Sequence, residues 1–159
     1  MEGGINMDVE IINPFIDATM NVLETMASIT PRPGKPYLKK AKLARGEVTG
    51  VIGLTGEVSG TLSVSFTKTS ILSVVSNMFG EEMKEINEEI MDAVGEITNI
   101  ISGQARQKLE ESGRSMKSAI PVVITGKNHT ITHITPFPVF AVDFSTDNGV
   151  FAIEVCFEE

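Results

Sequence analysis

From Val9 to Ala27 apolar side chains recur in steps of three and four, at Ile12, Phe15, Ile16, Met20, Leu23 and Met26 or Ala27. That spacing predicts an amphipathic helix. Pro31, Pro33, Gly34 and Pro36 end it and predict a short extended connection. From about Lys40 to Phe66 the chain is rich in Val, Ile, Thr and Gly, with a break at Thr55–Gly56, which predicts two long strands in a hairpin. In the second strand Leu62, Val64 and Phe66 alternate with Thr61, Ser63 and Ser65, so one face is expected to be buried and the other wetter. Helical spacing returns at Ile71, Leu72, Val74, Val75, Met78 and Phe79, with Thr69 or Ser70 as the cap and Gly80 as the stop. A third helix is expected from about Lys84 to Glu110, its acidic start suiting the positive end of a helix dipole and Ser112–Gly113 marking its end.

The remainder reads as strands over Ile120–Thr125, Thr130–Thr135, Val139–Ser145 and Val150–Phe157, with turns at Gly126–Asn128, Pro136–Pro138 and Asp147–Gly149. The order is helix, hairpin, two helices and two more hairpins. It predicts an α/β chain of the α+β type: a mainly antiparallel sheet of about six strands with three helices packed on one side. Met1–Met7 is read as a vector remnant or a disordered start, with Met7 as the native first residue, and 8–159 as a single domain.

Composition narrows the function. At 159 residues the chain can bury a full core, supplied by aliphatics, Met and Phe, since there is no Trp and one Tyr. The single cysteine, Cys156, rules out a disulfide framework and four-cysteine zinc sites, and suits a reducing, cytoplasmic compartment. The sequence contains no apolar run of membrane-spanning length and no secretion signal, so no membrane partner is expected. A formal net charge of -8 disfavours nucleic acid and favours a partner with basic groups around its site.

The third helix carries the candidate chemistry. Ile86, Ile90, Val94, Ile97, Ile101 and Ala105 form one apolar stripe, and Glu85, Glu88, Asp92, Glu96, Asn99, Gly103 and Arg106 lie opposite. A solvated helix face is the plain account of such a polar stripe. Two residues sit uneasily with it. Asn99 lies mid-helix, where Lys, Gln or Glu would cost less, and Gly103 costs about 1 kcal/mol relative to Ala.

The run Asp92-Ala93-Val94-Gly95-Glu96-Ile97-Thr98-Asn99, followed by Pro121 at the head of a strand, resembles the signature of the CheC, CheX and FliY phosphatase family: an acidic or Ser residue, then Glu, then Asn three residues on, then a Pro well downstream. The CheC branch carries a second such motif in the first helix. Here that helix reads Asp17-Ala18-Thr19-Met20-Asn21-Val22-Leu23-Glu24, without Glu-x-x-Asn, so the resemblance is to the single-site CheX type.

The resemblance implies a phosphatase that hydrolyses the aspartyl phosphate of a CheY-like chemotaxis response regulator. Asn99 would orient the attacking water and Glu96 would dock to the regulator's lysine. Asp92 and Gly103 would assist docking, and Pro121 is given only a structural role. The regulator would supply the magnesium, so the chain needs no cofactor or metal of its own, and a homodimer is expected. The alternative is a non-catalytic module that docks on a response regulator or a flagellar switch component.

Three other features are given structural readings. His129 and His133 share a strand face beyond chelating reach. Gly50, Gly53 and Gly56 lie inside a hairpin with no helix after them, unlike a phosphate loop, and are expected to bend the sheet or admit a second chain. Cys156 is expected to be an inert core or edge residue.

Overall fold

In the computed structural model the described residues are 2–40, 42–57, 59–127, 129–131 and 138–158, with side chains described from Glu10 onward. Three helices, α1 (Glu2–Ala27), α2 (Lys68–Phe79) and α3 (Glu88–Glu111), pack on one face of an antiparallel sheet of eight strands. These are β1 (Arg32–Pro33), β2 (Tyr37–Lys39), β3 (Val48–Gly56), β4 (Ser59–Phe66), β5 (Met116–Ser118), β6 (Val122–Thr125), β7 (Val139–Thr146) and β8 (Gly149–Glu158). Both β1 and β2 pair with β7, the centre runs β7-β8-β4-β3, and both β5 and β6 pair with β3 at the far edge. Among the described residues, no helix is long and apolar enough to cross a membrane.

The periodic readings hold where a strong apolar repeat carries them. In α1, Ile12, Phe15, Leu23 and Ala27 are buried, while Ile16, Met20 and Met26 pack partly buried at the margin. The helix begins well before Val9 and accommodates Pro14, whose missing donor costs one backbone bond. The long hairpin is β3–β4, and β7–β8 turns at Gly149, whose φ of 124° a side chain would resist. Phe66, Phe144 and Phe151 stack under α2, with centroids 5.0 and 4.9 Å apart.

Several boundaries differ from the sequence reading, each for a local reason. The first long strand starts at Val48 and not at Lys40; the proline-rich connection instead contributes two short strands, β1 and β2, to the β7 edge. The α2 cap is Thr67, neither Thr69 nor Ser70: its hydroxyl accepts from the Ser70 amide at 3.4 Å. Phe79, at the end of α2, is 47% exposed instead of inward. Helix α3 starts at Glu88 with Asn87 as its cap, its side chain accepting from the Ile90 amide at 3.0 Å, so Glu85 and Ile86 precede the helix. Ile120 is unpaired rather than in a strand, and β5 was not foreseen. Of the expected strand Thr130–Thr135, Thr130 makes a single bridge to Leu43; His133 and the turn at Pro136 lie outside the described residues, as does Asn128.

The largest departure concerns β4. Thr61, Ser63 and Ser65 are as buried as the apolar residues between them, so the expected wet face is covered. The connection after β2 crosses this back face. Ser65 Oγ accepts from the Gly46 amide at 2.9 Å and from the Thr49 hydroxyl at 2.8 Å, and Thr49 also bonds His129 Nε2. Lys39 Nζ pairs with Glu154, a β8 carboxylate on the same face as Ser63. Ser65 and Thr49 are thus buried with their hydrogen bonds made, while the Ser63 hydroxyl is buried with no partner among the described residues, so burial on this face is imposed by the covering segment where alternation alone predicts solvent. Cys156, also on this face, is fully buried, and burial pushes its thiol up, which matches the inert reading.

Candidate functional site

Helix α3 is built to be held on one side and bare on the other. Ile90, Val94, Ile97, Ile101 and Ala105 are buried to within 1% of complete. Each large aliphatic removed from water contributes roughly 2 kcal/mol toward seating the helix. Glu88, Asp92, Glu96 and Asn99 are exposed on the other side, and Gly103 is half-buried. Glu96 and Asn99, one turn apart, therefore stand side by side in solvent, with Asp92 a turn before and Gly103 a turn after. Among the described residues, the side chains of Asp92, Glu96 and Asn99 engage no hydrogen bond or ion pair within the chain. A mid-helix amide left with all of its donors and acceptors free is available to something outside the molecule.

The back of this turn is locked. Thr98 donates to the Val94 carbonyl at 2.7 Å and rests on Gly50 of β3, where a Cβ would lie 2.1 Å from the Thr98 hydroxyl. Ser102 donates to the Asn99 carbonyl at 3.0 Å and meets the Ser118 hydroxyl of β5 at 3.0 Å. Gly50 was expected to bend the sheet or admit a second chain; it admits the chain's own helix. Gly95 faces Val123 of β6. Arg106, expected on the solvent face, folds back so that Nη1 donates to the Met116 carbonyl at 3.3 Å. On the far side Asn21 of α1 donates to Gln104 at 2.9 Å. Glu96 and Asn99 thus project from a turn fixed against β3, β5 and β6, which favours positioning without reorganisation.

These supporting contacts are the part that sequence reasoning missed. Ser102, Ser118 and Gly50 are small residues without a periodic signal, and only the pairing of β5 with β3 brings them together. Pro121 precedes β6 and is half-buried, consistent with the structural role given to it. Among the described residues no three His, Cys, Asp or Glu side chains gather closely enough to hold a metal ion. His129 is held by Thr49 and by the Gly126 carbonyl at 2.7 Å.

The chain is similar to known proteins along most of its length. The family model for the chemotaxis phosphatase CheX matches residues 48–145, a span that contains α3, Glu96 and Asn99. The CheY-P phosphatase CheX of Thermotoga maritima is 33% identical over 124 residues, covering 77% of this chain and 79% of that one. A crystal structure of chemotaxis protein CheX from Desulfovibrio desulfuricans superposes with a TM-score of 0.88 at 50% identity, over 94% of this chain and 99% of that one. A CheX–CheY–BeF3–Mg2+ complex from Borrelia burgdorferi superposes with a TM-score of 0.80 at 28% identity, over 93% and 97% of the two chains.

Proposed function

The chain belongs to the chemotaxis phosphatase CheX family, and from that premise we propose that it hydrolyses the aspartyl phosphate of a CheY-like response regulator in the cytoplasm. The observation that carries the reading is the exposed, unengaged pair Glu96 and Asn99 on one rigid turn of α3. In such a reaction water attacks phosphorus in line, the bond from phosphorus to the aspartate oxygen breaks, and inorganic phosphate and a free carboxylate leave. Little covalent work falls to the protein, so placing the water is the main contribution available.

Asn99 suits that task. Its amide both donates and accepts, so it can hold one water in a fixed direction, and being neutral it acts by position and not as a base. Glu96 supplies a carboxylate to the regulator's lysine, a charge-assisted contact that sets the register of the helix in the pocket. Asp92 extends the same acidic edge. Magnesium comes with the regulator and neutralises charge on the phosphoryl group; the related complex from Borrelia burgdorferi contains that ion together with CheY. A homodimer belongs to the same reading, and β2, whose Tyr37 and Leu38 are 41% and 54% exposed at the sheet edge, offers a surface that pairing would cover.

The test is phosphate release from a phosphorylated regulator with and without this protein. Catalytic acceleration supports the phosphatase; stoichiometric binding without release replaces it with a docking module. Gly103 gives a second check. A Cβ there meets nothing closer than an Arg106 nitrogen at 3.9 Å. Gly103→Ala should therefore raise stability by about 0.5–1 kcal/mol in a denaturant titration. If the bare backbone is where the regulator approaches, the same substitution raises KM severalfold with kcat unchanged; an unchanged KM removes Gly103 from the docking surface.

A further inference from the structure

Between its pairings with β5 and β6, strand β3 leaves Ile52 and Gly53 facing Ala119, Ile120 and Pro121: Val51 is opposite Val122 and Leu54 is opposite Ser118. Two residues on one strand oppose three on the other, which is a β-bulge at the sheet margin. Its consequence is read from side-chain parity. Ser118 and Val123 point to the helix side, where they meet Ser102 and the Cβ position of Gly95. Ala119 meets the Cβ position of Gly53 on the other face, and Val122, opposite Val51, also lies there. The extra residue therefore keeps Ile120 and Pro121 together toward the helix side or the rim, without the alternation that a regular strand would impose.

The bulge also sits at the height of the site. Gly95 is level with Val123 and Ser102 with Ser118, so residues 119–122 run past the turn of α3 that bears Glu96 and Asn99. Ile120 is 86% exposed, the most exposed of the large hydrophobics among the described residues. One exposed isoleucine is ordinary on a protein surface, and what singles out Ile120 is its place on the margin that runs past the turn bearing Glu96 and Asn99. A helix edge offering only carboxylates and an amide lacks the apolar centre that specific protein interfaces contain. Pro121 has no amide hydrogen to offer at this margin, which works against an added strand and in favour of side-chain docking.

We infer that Ile120, aimed by the bulge beside Glu96 and Asn99, is the apolar anchor that seats the phosphorylated regulator and so determines affinity for it. This rests on the phosphatase reading above. The control is Val122, 62% exposed on the same margin but facing the other side of the sheet. Steady-state dephosphorylation is compared for Ile120→Ser, Val122→Ser and Asn99→Ala, with circular dichroism and light scattering on each. Ile120→Ser should raise KM about 10-fold, as expected when binding no longer takes one large apolar side chain out of water, with kcat unchanged. Val122→Ser should leave both within about twofold. Equal KM for Ile120→Ser and the parent overturns the inference, as does a shift of Ile120→Ser to a smaller assembly, which would make a second copy the occupant. Loss of this effect alone, with Asn99→Ala still strongly slowed, removes the anchor and leaves the phosphatase; parental turnover in Asn99→Ala removes the catalytic reading itself.

Discussion

Replacing Asn99 with Ala should slow regulator dephosphorylation by about 10²-fold, equivalent to about 2.7 kcal/mol of barrier, while the protein melts no lower than before. The two halves come from different observations. Asn99 is exposed and its side chain has no partner within the chain among the described residues, so its removal breaks nothing that holds the fold. Ala is also the better helix former by up to about 0.7 kcal/mol, which places the stability change at zero or slightly upward. A residue that serves only as surface would show that gain with no kinetic cost. The loss should fall on kcat and not on KM, because the water matters only as the phosphoryl group transfers, whereas Glu96 acts on docking and should move KM. Turnover unchanged in Asn99→Ala would leave the mid-helix asparagine without a function.

Much of the site was legible because it rests on one strong period. Ile90, Val94, Ile97 and Ile101 repeat at helical spacing, and this alone fixes which way Glu96 and Asn99 point. What was misjudged depended on contacts distant in sequence. The serines and threonines of β4 alternate as a half-exposed strand does, yet Thr61, Ser63 and Ser65 are all buried, and Ser65 bonds Gly46 of the segment after β2 as well as Thr49 of β3. Nothing local distinguishes a hydroxyl bonded to a covering strand from one bonded to water. The same limit explains Arg106, which has the spacing of the solvent face but a carbonyl of β5 within reach. The acidic stretch around Lys84 suggested an earlier start for α3, whereas the structural signal was the Asn87 cap. Propensity and charge extend over several residues; a cap acts at one.

Gly50 is where fold and site are most tightly joined. An added Cβ would fall 2.1 Å from the Thr98 hydroxyl, 3.0 Å from Thr98 Cβ and 3.3 Å from a Val94 methyl. Thr98 cannot simply turn away, since its β-branched side chain is held by the bond to the Val94 carbonyl and the residue is fully buried. Gly50→Ala must therefore lift α3 from β3, at about 3 kcal/mol, the upper part of the usual range for overpacking. Thr98 lies between Glu96 and Asn99, so the lift should displace both and reduce turnover, unlike a core defect remote from α3. Adding Thr98→Ala removes the hydroxyl that makes the worst contact and leaves only the 3.0 and 3.3 Å approaches to Thr98 Cβ and Val94 to accommodate, so the double variant should recover more than half of the lost stability and part of the activity. Denaturant midpoints and turnover of the two single variants and the double variant form the test. Additive losses, with no recovery in the double variant, would mean that the close seat of α3 on Gly50 does not position the site.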